Sequence, residues 1–198
     1  MNNLTTNLNV DPKNHLIFAL ARVKQSSILI NTFQQSYFAE DNTLLNIYEV
    51  EFRLLYVDLY LLFDKQKKHL SIKEILDDNK NLLRNTDYLK LMNDLNCIEN
   101  QYSKELNKIN YIGNSIIRHI DPRKISIIYG SCYGGEYALD IPKVENMIDE
   151  VVTLLKESNI FSKDSFQGFD CIVGSDQIIG RFNLETQKPI ALFPERKQ

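Results

Sequence analysis

The stretch Leu44-Leu45-Asn46-Ile47-Tyr48-Glu49-Val50-Glu51-Phe52-Arg53-Leu54-Leu55-Tyr56-Val57-Asp58-Leu59-Tyr60-Leu61-Leu62-Phe63 decides the fold. It holds no glycine or proline, and its apolar residues fall on nearly all sides of a helical projection. Such a helix, from about Leu44 to Lys65, belongs at the centre of a bundle. A bilayer span is the competing reading. Glu49, Glu51, Arg53 and Asp58 argue against it, because ionised groups in hydrocarbon are costly. Glu49 and Arg53 lie four apart and pair along one face, so these charges read as a solvated strip rather than a site.

Upstream, Asp11-Pro12 is a helix start: a capping carboxylate, then a residue whose fixed φ suits the first turn. Ile17, Leu20, Val23, Ile28, Ile30 and Phe33 give that helix its apolar positions to about Phe38, and Asp41-Asn42-Thr43 separates it from the next. Downstream, Lys65-Gln66-Lys67-Lys68 reads as a solvated loop. Ser71 with Glu74 three residues on forms a capping box for a short helix to about Asp78. Residues 86–120 read as helical, with room for a break between Asn93 and Cys97. Leu106, Ile109, Ile112, Ile116 and Ile120 form an apolar stripe there, and Pro122 stops the helix at Asp121.

Residues 123–140 are irregular, with a short extended piece at Ile125, Ile127 and Ile128 and a loop from Tyr129 to Gly135. Asp140 and Pro142 open a closing helix to about Ser158, striped by Val144, Met147, Ile148, Val151, Leu154 and Leu155. Beyond Asn159 the pattern changes. Phe169 to Val173, Gln177 to Phe182 and Ile190 to Phe193 suit short strands, in a hairpin or a strap. The expectation is an all-α bundle of about five helices over residues 11–160, with a flexible tail at 1–10 and a small irregular or β-hairpin extension at 161–198.

Composition agrees. Of 198 residues, 43% are hydrophobic and 25% charged, which suits a packed core, while 7 glycines and 5 prolines are too few for a fold of many short strands. A net charge of −3 does not suit a protein that coats nucleic acid through bulk charge. Cys97, Cys132 and Cys171 are odd in number and widely spaced, so reduced thiols are expected rather than a disulfide framework or zinc site. Residues 1–10 lack the charged start and apolar run of a signal peptide, which points to the cytoplasm.

The inventory for chemistry is small. There are three histidines, His15, His69 and His119, and no metal motif. The loop Gly130 to Gly135 lacks the Lys-Ser/Thr ending of a phosphate-binding loop, and Cys132 within it has no nucleophile signature. No cofactor and no metal is expected. His119 sits at the end of a helix, where the negative end of the dipole favours its protonated form. Arg118 is its neighbour, and Asn114 and Ser115 stand one turn before the pair. A histidine and an arginine together can cleave RNA without metal, one moving the 2′-hydroxyl proton and the other stabilising the charged phosphate. The plain alternative is a histidine that caps helix carbonyls.

The segment Tyr111-Ile112-Gly113-Asn114-Ser115-Ile116-Ile117-Arg118-His119-Ile120-Asp121 resembles the signature helix of HEPN domains. Leu61-Leu62-Phe63-Asp64, then Leu70-Ser71-Ile72-Lys73-Glu74-Ile75-Leu76, looks like the pattern of the AbiU-like abortive-infection branch. The resemblance covers about residues 11–160. It implies a homodimeric helical bundle acting on RNA as a metal-independent endoribonuclease, in phage defence or a toxin–antitoxin system, often beside an antitoxin or neighbouring-gene partner. Of the motif, His119 carries over as the proton-handling residue and Asn114 matches the polar residue; Arg118, outside the motif position, would supply the charge on phosphate with Asn114. The family arginine, due five to seven residues before His119, is replaced by Asn114, Gly113 and Ile112. That departure leaves a second reading: a non-catalytic dimerisation or protein-binding module.

Overall fold

The computed structural model describes residues 11–35, 42–64, 71–114 and 134–166, together with Phe169 and the pairs 182–183 and 188–189. Six α-helices stand among them: α1 Pro12–Gln35, α2 Asn42–Phe63, α3 Ile72–Asp78, α4 Asn85–Gln101, α5 Ser103–Gly113 and α6 Ile141–Glu157. Short 3₁₀ turns occupy Lys80–Leu82 and Lys163–Phe166. The two-residue strands β1 Phe182–Asn183 and β2 Lys188–Pro189 pair antiparallel, Phe182 opposite Pro189. The expected tail at 1–10, the basic run at 65–68, the extended piece at 125–128 and most of the expected C-terminal strands lie outside the described residues.

The helix starts obey local chemistry. Asp11 Oδ1 accepts from the Lys13 amide at 2.9 Å, just ahead of Pro12. Ser71 Oγ accepts from the Glu74 amide at 3.3 Å, one half of the capping box. Asp140 Oδ1 accepts from the Lys143 amide at 3.3 Å and caps α6.

The helix expected over 86–120 is divided, and the division is not where the sequence suggested. α4 runs unbroken through Asn93 to Cys97, and the break falls at Tyr102, whose backbone leaves helical dihedrals at φ −100°, ψ 18°. Tyr102 is buried, and its hydroxyl donates to Glu150 Oε1 on α6 at 2.6 Å. The expected continuation from Ser115 to Ile120 lies outside the described residues.

α2 is the axis. α1 packs on α2 and α6, α5 packs on α2, and α4 packs on α6. Tyr48, Phe52 and Tyr56 recur at every fourth position of α2, with ring centroids 5.7 and 5.4 Å apart, and Phe33 of α1 meets Tyr48 edge-on at 5.9 Å. Of the α2 charges, Asp58 is not solvated but fully buried, bound by the Arg22 guanidinium through both oxygens. Glu51 accepts from Ser26 Oγ at 2.7 Å, and Arg53 stands 3.6 Å from Glu49. Nor is α2 covered on every side: Val50 and Leu54 are 52% and 37% exposed. Burial continues past position 160, through Ile160, Phe161, Phe166 and Phe169, with Lys156 Nζ lying 5.5 Å from the Phe166 ring centre.

The α6 cap carries a pH dependence. Hydrogen bonding to Lys143, whose Nζ lies 2.9 Å away, holds the Asp140 carboxyl below the usual carboxylate range. The unfolded chain therefore takes up that proton at a higher pH than the folded one. The cap's stabilisation is present above pH 3.8 and is lost as pH falls through the lower folded value. Asp140→Ala should cost about 1 kcal/mol in urea unfolding near pH 7. The cost should shrink as pH falls below 3.8 and through the lower folded value. An equal cost at neutral and acid pH would contradict this assignment.

Candidate functional site

Of the three residues that the sequence singles out, Asn114 is described, and Arg118 and His119 lie outside the described residues, as do Cys132 and His69. Asn114 follows the last turn of α5 in helical conformation, φ −62°, ψ −34°. Its side chain reaches the bundle axis, where the Tyr60 hydroxyl of α2 donates to Asn114 Oδ1 at 3.0 Å. Asn114 is itself exposed.

Gly113 explains how Tyr60 reaches this position. The Tyr60 ring lies directly over the Gly113 backbone, and a Cβ added at 113 would fall inside the envelope of ring atoms Cγ and Cδ2 and 2.8 Å from Cε2. On helix propensity Gly113 looks like a weakness of about 1 kcal/mol relative to alanine. In the fold it is the opening that admits an aromatic ring. The same contact means that a side chain at position 113 would force the Tyr60 ring or the helix to shift.

The chain resumes at Gly134, whose φ of +93° suits glycine, and returns to the same wall. The Tyr56 hydroxyl, one turn before Tyr60, donates to the Tyr137 carbonyl. The Tyr137 ring stacks on Tyr111 of α5, with centroids 4.2 Å apart and planes 5° from parallel. Hydrogen bonding to Tyr111, then burial, then the Glu136 charge raise the Tyr137 phenol above its ordinary pKa. Lys108 of α5 donates to the Ala138 carbonyl and lies 3.1 Å from Glu105 Oε2. Glu105, fully buried, also accepts from the Asp140 amide at 3.2 Å. α2 and α5 thus hold Asn114 on one side and 137–140 on the other, so the stretch that carries Arg118 and His119 begins and ends on one wall.

Among the described residues, no group of His, Cys, Asp and Glu side chains is placed to hold a metal ion, and no helix is long and apolar enough to cross a membrane. Cys97 is exposed. The sequence reading missed Tyr56, Tyr60 and Tyr137. The available signal was the aromatic residue at every fourth position from Tyr48 to Tyr60.

No family model, curated protein or solved structure matches the chain.

If the two hydroxyls hold Asn114 and residue 137 against α2, Tyr56→Phe with Tyr60→Phe should lower stability to urea by about 1 kcal/mol per hydrogen bond. Wild-type stability in the double variant would show that the hydroxyls have no such role.

Proposed function

We propose that this chain is an RNA-directed protein of the HEPN type, acting in phage defence or a toxin–antitoxin system as a homodimer with weak metal-independent cleavage. The observation that carries the reading is the shared wall, on which Tyr60 and Tyr56 fasten the two flanks of the stretch bearing Arg118 and His119. The helix order supports it: two long helices, a short one, the helix leading into the motif and a closing helix. In the proposed chemistry His119 takes the proton from the ribose 2′-hydroxyl, whose oxygen attacks the adjacent phosphorus. The 5′-oxygen leaves with a proton, giving a 2′,3′-cyclic phosphate and a 5′-hydroxyl. Arg118 and the Asn114 NH₂ stabilise the charge gathering on the phosphate oxygens.

Gly113 favours a second reading. The family arginine is absent from 112–114, and at 113 a side chain would force the Tyr60 ring or the helix to shift. A chain built this way serves as a non-catalytic dimerisation or protein-binding module, with an antitoxin or neighbouring-gene product as partner.

The assay is RNA cleavage with EDTA present, alongside RNA binding, for wild type, His119→Ala and Arg118→Ala. The first reading expects slow cleavage by wild type, lost by on the order of 100-fold in His119→Ala, the usual scale for a general base. Binding should persist in that variant. No binding and no cleavage by wild type overturns it in favour of the module, and undiminished cleavage by His119→Ala removes the assigned residue.

A further inference from the structure

Along α5 and its C-cap, Lys104, Asn107, Tyr111 and Asn114 fall at spacings of three, four and three, so they share one side of the helix. All four are exposed. The acid of α5, Glu105, is buried, engaged by Lys108 and the Asp140 amide. The outer side of α5 therefore holds no carboxylate, in a chain whose net charge is −3. Tyr111 is 37% exposed, while Tyr137, lying flat against it at 4.2 Å and 5°, is half-buried, so Tyr111 is the more open ring of the stack. The core pairs from Phe33 to Tyr56 meet instead at 45–76°. The backbone of Tyr137 is held in turn by the Tyr56 hydroxyl. A flat ring pair at the surface, tethered to the bundle, is a planar platform whose orientation is set before anything binds, and such preorganisation lowers the ordering cost of binding.

We infer that Tyr111 is the stacking platform for one base of a single-stranded RNA, beside Asn114 and the motif stretch. The inference rests on the RNA reading above and narrows its substrate to unpaired strands. Such a strand is recognised by an aromatic ring on which any base can stack, with cations and polar side chains along its backbone. A duplex turns its bases inward against one another and offers Tyr111 no ring face. Tyr111 and Asn114 are neighbours on the helix surface, about 5–6 Å between Cβ atoms, so one nucleotide spans them. Lys104 stands two turns back on the same side, about 10 Å away, and takes a backbone phosphate there. Glu136, exposed beside Tyr137, repels phosphate and turns the strand along α5 rather than across residues 136–137. Stacking of this kind tolerates any sequence.

The probe is a fluorescently labelled, single-stranded RNA of mixed sequence with 2′-O-methyl riboses, read by anisotropy with the full chain. The methyl groups block attack by the 2′-oxygen, so binding is measured whether or not His119 supports cleavage, and the two readings fail separately. Tyr111→Leu, which keeps apolar bulk but removes the ring, should weaken binding by about 5- to 150-fold, the range for one base–aromatic stack. Tyr111→Trp should bind at least as well as wild type. An abasic strand of the same length should bind wild type and Tyr111→Leu alike, which a merely structural role for the ring would not produce. Lys104→Ala should lower the salt dependence by about one phosphate contact. No binding by wild type, wild-type affinity in Tyr111→Leu, an equal loss on the abasic strand, or tighter binding of the duplex than of the single strand would each overturn the inference.

Discussion

The Tyr60 ring rests on the backbone of Gly113, and the arrangement around the candidate site follows from that contact. α5 approaches α2 closely only because position 113 has no side chain, and the approach carries Asn114 to the Tyr60 hydroxyl. One turn earlier on α2, the Tyr56 hydroxyl holds the Tyr137 carbonyl on the returning chain. A single helix thus sets both flanks of the stretch in which Arg118 and His119 fall.

What holds α2 in place is partly apolar and partly ionic. The aromatic series from Tyr48 to Tyr56 packs in tilted contacts, with Phe33 of α1 at one end. On the neighbouring side Arg22 grips the fully buried Asp58. Removing Arg22 would leave the buried Asp58 carboxylate without its counter-charge, so the pair ties α2 to α1, although the partly exposed guanidinium is itself screened by solvent. In that arrangement Tyr60 meets Gly113 at the end of α5, and Val50 and Leu54 remain exposed.

The helical fold was legible because its signals are local. Asp11-Pro12, Ser71 with Glu74, and Asp140 with Pro142 mark starts that the structure repeats, and the stripes of α1 and α6 mark buried faces. The break at Tyr102 was not legible, since no glycine or proline marks it. Gly113 reads as a flaw on propensity alone, and only the Tyr60 ring shows why glycine belongs there. The burial of Asp58 against Arg22 has no local sign, since the two are 36 residues apart. Of the candidate site, the sequence supplied Asn114, Arg118 and His119 as a motif. Its supporting tyrosines emerge only when α2 and α5 are packed together.

The most direct test is a double-mutant cycle between positions 60 and 113, read by urea unfolding. In an ordinary helix Gly→Ala gains about 1 kcal/mol. Here Gly113→Ala should instead lose about 1–3 kcal/mol, as overpacking does. In a Tyr60→Ala background, with the ring removed, the same change should become neutral or stabilising, a coupling of at least about 1 kcal/mol. A Gly113→Ala protein more stable than wild type, or energies that simply add, would contradict the contact on which the placement of the site depends.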